Sequence, residues 1–169
     1  SPPSPKAAPL PKASIVEPKQ LSPEELVKLE ELRSARDKEL SELDAFFQTP
    51  EQFKKYNYNF GDADPVSGKP LATKIRKEEE LKILKRYADM GDERSQSLYK
   101  RRKKAFDKDY AAPPPERAIY NEAYAKAMQE MGDIDPAMSL EEKTRIQLKR
   151  AEKARAITRE AAGGYDPRN

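Results

Sequence analysis

The sequence predicts a mostly α-helical, extended chain, in which several amphipathic helices are joined by Pro/Gly-rich breaks around little independent hydrophobic core. Three observations predict it. Ser or Thr followed three residues later by Glu or Gln recurs ahead of stretches with apolar residues every three or four positions, a helix-start signature. Pro and Gly punctuate the chain between those stretches. The composition is also thin in apolar residues: 37% of the 169 residues are charged, 36% are apolar, and mean hydropathy is -1.01. A typical soluble domain is about 25% charged. Ordering a residue costs roughly 1–2 kcal/mol of backbone entropy, which apolar burial has to offset. The expectation is that much of this chain is ordered by partners or not ordered at all.

Residues 1–21 hold six of the 15 prolines and read as a Pro-rich extended arm. It is either an unstructured tail or an arm laid into a partner's groove. The start at Ser1 fits loss of a targeting peptide or of an initiator Met. Residues 22–56 begin with Ser22 as N-cap, Pro23 in the first turn and Glu25 closing a capping box. Leu29, Leu32, Arg36, Leu40, Leu43 and Phe47 then form one stripe, interrupted at Arg36, on a helix to about Phe47. Glu24 and Lys28 have the spacing of an ion pair on that helix. Thr49, Pro50 and Gln52 repeat the start signal for a short helix to Tyr56.

Residues 57–71 are a loop rich in Asn, Asp, Gly and Pro. Tyr56, Tyr58 and Phe60 alternate there, as a short strand or as aromatic pegs for a partner. Residues 72–131 comprise helices over about 72–90, 93–110 and 115–131, broken at Gly91 and at Pro113-Pro114-Pro115. Asp92 caps the middle one. Ile75, Leu81, Ile83, Leu84, Tyr87 and Ala88 mark the packing face of the first. Tyr120, Tyr124, Ala127, Met128 and Met131 mark that of the third. Residues 132–169 hold a charged helix that starts at Ser139 with Glu142, runs to about Ala162 and stops at Gly163-Gly164. Its apolar face is read as Leu140, Ile146, Leu148 and Ile157, with Ala between, and is thin.

The absence of Cys and His removes thiol nucleophiles, thiolate metal sites and the commonest general base. Gly61 to Lys69 resembles a phosphate loop but has six residues between its glycines where four are required. Asp62 and Asp64 resemble the opening of a calcium loop, yet the next ligand position is Val66, the required Gly is Ser67 and the closing Glu position is Thr73. Both aspartates read as turn residues. No catalytic, cofactor or metal-binding residue, small-molecule substrate or transmembrane segment is expected, and the chain is read as not an enzyme.

Net charge is +3; residues 1–84 carry −1 and residues 85–169 carry +4. The run Lys100-Arg101-Arg102-Lys103-Lys104 covers a whole helical circumference, so it reads as positive all round. Its partner is RNA phosphate, acidic protein or solvent, and Lys149, Arg150 and Lys153 are candidates of the same kind. Tyr99, Phe106 and Tyr110 form an aromatic stripe beside the run. With Leu29, Leu32, Leu40, Leu43, Phe47, Tyr56, Tyr58 and Phe60, they are the expected partner-packing residues.

The expectation from these patterns is a non-catalytic structural or linker subunit that stabilises a large multiprotein assembly by binding along its neighbours. An organellar setting is favoured, the mitochondrion ahead of plastid or cytoplasm. The alternative is a mitochondrial-type ribosomal protein whose basic helices contact rRNA.

Overall fold

The computed structural model describes residues 2–3 and 20–169. Nearly all of the arm expected over 1–21 lies outside the described residues. Among those residues the chain forms six helices and no strand: α1 (Pro23–Phe46), α2 (Glu51–Tyr56), α3 (Leu71–Asp89), α4 (Glu93–Asp109), α5 (Pro115–Glu130) and α6 (Leu140–Ala161). The mostly helical class with breaks between elements is as the sequence predicts.

The caps explain why the boundaries fall where they do. Ser22 Oγ accepts from Glu25 N–H and Ser139 Oγ from Glu142 N–H, each at 3.2 Å. Asp92 accepts from Ser95 N–H at 3.3 Å to start α4. Each bond satisfies a donor that a helix start leaves open. The second helix differs from expectation. Thr49 turns its hydroxyl back to donate to Phe46 O at 2.7 Å, and Pro50 stands as the N-cap of α2 with no side-chain bond. Thr49 therefore closes α1 and does not open α2.

α1, α3 and α4 make one packed group. Gly91, at φ 98, reverses the chain between α3 and α4, a conformation that only glycine adopts without strain. Leu81, Ile83, Leu84, Tyr87 and Ala88 are buried on α3, Leu84 completely. Burying a leucine side chain contributes about 2 kcal/mol. α5 and α6 make a second group around Ala127, Met128, Ala151 and Ala154, with Tyr124 and Met131 packed alongside.

The face of α6 is a correction. Leu140, Leu148 and Ile157 are exposed, whereas Ala151, Ala154 and Thr158 lie buried against α5. Small side chains let the two helices approach closely. At about 100° per residue, Leu148 and Ile157 stand roughly 90° to either side of that contact. Leu140 lies on the buried side but beyond the end of α5, since Arg150 is already level with Gly132, whose carbonyl it meets at 2.5 Å.

The loop 57–70 bridges the two groups and contains no strand, only an isolated antiparallel bridge between Ala63 and Pro70. Asn121 Nδ2, on α5, donates to Val66 O at 2.8 Å, and Gln147 Nε2, on α6, donates to Gly61 O at 3.3 Å. Gly68 sits at φ 72, and a Cβ there would lie 2.8 Å from Asn121 Oδ1, so this close approach requires glycine.

Candidate functional site

Charge decides how α1 docks. Arg36, read from sequence as an interruption of the apolar stripe, is the buried residue of α1. Its Nη1 donates to Asp92 Oδ2 at 3.2 Å and to Ser95 Oγ at 3.0 Å, and Arg33 Nε donates to Asp92 Oδ1 at 3.1 Å. Asp92 is fully buried. Burial pushes its carboxyl up, but the Ser95 hydroxyl and Arg33 together hold it below the ordinary value of 3.8. Two further contacts follow along the same helix. Glu39 takes both of its oxygens to Arg86 Nη1, at 2.7 and 2.9 Å, and accepts from Tyr87, which holds its pKa down. Asp44 meets Arg76 at 3.5 Å. Leu40, Leu43 and Phe47 are half-buried along this stretch.

The first turns of α1 have no such ties. Among the described residues, no side-chain hydrogen bond or ion pair joins residues 23–32 to another element, and Glu24 and Lys28 do not pair. Glu24, Glu25, Glu30 and Glu31 are exposed. Leu26 and Val27 are 47% and 54% exposed, and Leu29 and Leu32 are half-buried.

The basic run on α4 is not positive all round in effect. Arg102 points at α3 and pairs with Glu80, and Lys103 pairs with Asp107 at 2.8 Å. The reason lies in α3, which offers a carboxylate where a basic side chain faces it. Lys100, Arg101 and Lys104 remain exposed and make no ion pair among the described residues. Arg94 and Lys108 share that condition and that side of α4. Sequence reasoning passed over these two, although their seven-residue spacing from Arg101 marked them. On α6, Lys149 and Lys153 are exposed, while Arg150 is occupied with Gly132.

Most of the aromatic candidates pair within the chain. Phe47 stacks on Tyr56 with ring centroids 5.4 Å apart. Tyr58 is buried beside Phe53, 5.0 Å away, and donates to Gln52 Oε1, so this ring is used inside the chain; burial pushes its pKa up to about 12. Phe60 meets Phe53 at 6.2 Å, and Lys143 Nζ sits 5.0 Å from its centroid. Tyr99 lies under Lys85, and Phe106 and Tyr110 pack at 4.6 Å. Lys69, Lys74 and Lys77 approach the Tyr110 ring at 5.4, 5.8 and 5.9 Å.

The aspartates of the loop serve the turn. Asp64 accepts from Ser67 N–H at 2.9 Å, from Ser67 Oγ at 2.7 Å and from Lys74 Nζ at 3.1 Å. Burial raises its pKa, and these three donors bring it below the ordinary value. A half-open cavity of about 310 Å³ lies behind the loop, lined by Phe53, Phe60, Ala63, Tyr124 and Gln147. Among the described residues, no group of three or more acidic side chains is placed to hold a metal ion, and no helix is long and apolar enough to cross a membrane. Comparison with protein-family models, with curated proteins and with solved structures finds no match to this chain.

Proposed function

We propose that this chain is a non-catalytic structural subunit that binds along neighbouring proteins of a larger assembly, an organellar one by its composition. The first three turns of α1 carry the reading. They are well capped, with Pro23 in the first turn and Glu24 and Glu25 at the positive end of the helix dipole. They nevertheless present Leu26, Val27, Leu29 and Leu32 without an internal polar tie. Leu26 and Val27 stand exposed about 100° apart around the helix, and the segment gains stability by packing them on another protein. Glu24, Glu25, Glu30 and Glu31, which make no ion pair among the described residues, favour a surface rimmed by basic residues.

The chemistry of the other conspicuous carboxylates supports a non-catalytic role. Asp92 is committed to a cap and two arginines, and Asp64 to a turn and a lysine. Neither lines the half-open cavity behind the loop; Asp62 does, with its pKa raised by burial, and it accepts from Asn59 N–H at 2.9 Å.

The test is affinity purification of the tagged chain from its native source, with and without RNase. A set of protein partners that survives RNA digestion, and that a Leu26→Ser/Val27→Ser variant loses, is the expected result. Loss of every partner on RNase treatment would show tethering through RNA alone and remove the proposal.

A further inference from the structure

We infer that the outer face of α4 is a contact surface for the phosphate backbone of RNA, separate from the protein-binding segment of α1. Five exposed cations, Arg94, Lys100, Arg101, Lys104 and Lys108, make no ion pair among the described residues. At 100° and 1.5 Å per residue they fall within an arc of about 120° and along about 21 Å of helix. Lys100, Lys104 and Lys108 form one row with steps of about 6 Å, and Arg94, Arg101 and Lys108 a second with steps of about 10.5 Å. Of the acids on this helix, Asp107 is taken by Lys103 and Asp109 lies 3.9 Å from both Lys69 and Lys77, which leaves Glu93 at the helix start.

What this face lacks decides between the two kinds of polyanion. A protein interface is anchored by a buried apolar or aromatic centre, and its core is depleted of lysine. Here three of the five cations are lysines, and the residue between the two rows is Ser97. The rings of this helix are engaged toward α3: Tyr99 lies under Lys85, and Tyr110 meets Lys74 and Lys77. Phosphate oxygens need charge and N–H donors and no apolar anchor. With the aromatic rings turned inward, bases have nothing to stack on, so the contact is with the backbone and is independent of sequence. The Arg102–Glu80 pair and the packing of Phe106 hold the inner side of α4 to α3, which fixes the outer rows in space.

A backbone contact can be tested with RNA of arbitrary sequence. The full chain is titrated into a labelled RNA duplex of about 20 base pairs over a series of salt concentrations, with fluorescence anisotropy as the readout. Five cations give a slope of log affinity against log salt of about −4.5, at roughly −0.9 per phosphate neutralised. The Lys100→Ala/Lys104→Ala/Lys108→Ala variant keeps a strong helix former at each position, and circular dichroism checks that it stays folded. It reduces the slope by about three units. The Lys149→Ala/Lys153→Ala variant on α6 leaves the slope as it was. The proposal is overturned by absence of binding at low salt, by a slope that the α4 variant does not move, or by a slope that the α6 variant removes instead. Tighter binding to polyglutamate or to phosphatidylserine vesicles than to the duplex overturns it equally.

Discussion

From Arg33 to Phe46, four charged side chains of α1 meet partners on α3 or at the start of α4: Arg33 and Arg36 on Asp92, Glu39 on Arg86, Asp44 on Arg76. From Pro23 to Leu32 the same helix, just as rich in charge, meets none among the described residues. Both halves have good caps, acidic residues and leucines at helical spacing, so local propensity does not distinguish them. The company they keep does. In the second half, opposite charges on a neighbouring helix turn polar residues into a docking surface. In the first half, the leucines and glutamates are left to an outside partner. In this apolar-poor chain, internal packing is organised by paired charge as much as by apolar burial.

That contrast can be broken at its strongest point first. Asp92→Ala removes the α4 cap and leaves buried Arg36 with only the exposed Asp37 as a carboxylate partner, and is expected to cost about 3 kcal/mol of stability, measured by urea unfolding followed by circular dichroism. A change below about 1 kcal/mol would mean that α1 is not docked through charge. Arg36→Met comes next, at about 2 kcal/mol, because Arg33 and Ser95 still satisfy Asp92 while the bonds of Arg36 to Asp92, Ser95 and Asp37 are lost.

Acid sharpens the same point. The folded pKa of Asp92 lies below its ordinary value, so the stability it contributes is complete above about pH 4–5 and is lost as pH falls through the lowered value. In Asp92→Asn this contribution to the pH dependence disappears. An unchanged acid titration of stability would contradict the assignment. Glu39→Gln has a smaller effect, about 0.5 kcal/mol, because Arg86 is largely exposed and solvent screens the pair. Smallest of all is Leu26→Ser/Val27→Ser, which should change unfolding by no more than about 0.5 kcal/mol, since nothing in the fold depends on these side chains. A larger loss would place the first half of α1 inside the fold.

Helix boundaries were legible in the sequence because they are written locally. Ser22, Asp92, Ser139, Gly91 and the Pro113–Pro115 run each act within a few residues. Tertiary roles were not legible where they depend on distant residues. Arg36 looked like a flaw in a stripe because its partner lies 56 positions away. The face of α6 was centred on its large side chains with alanines between them, whereas close packing on α5 selected the alanines Ala151 and Ala154 and left Leu140, Leu148 and Ile157 exposed. The basic run looked uniform because nothing near it in the sequence shows that Glu80 meets Arg102. Arg94 and Lys108 fell outside the run, and only placing it on a packed helix shows that they share its free side.

The most direct test of the central claim compares the wild-type chain with Leu26→Ser/Val27→Ser in affinity purification from the native source after RNase treatment, alongside their unfolding curves. The account predicts equal stability and loss of the protein partners by the variant alone. Equal stability with an unchanged set of partners would contradict it.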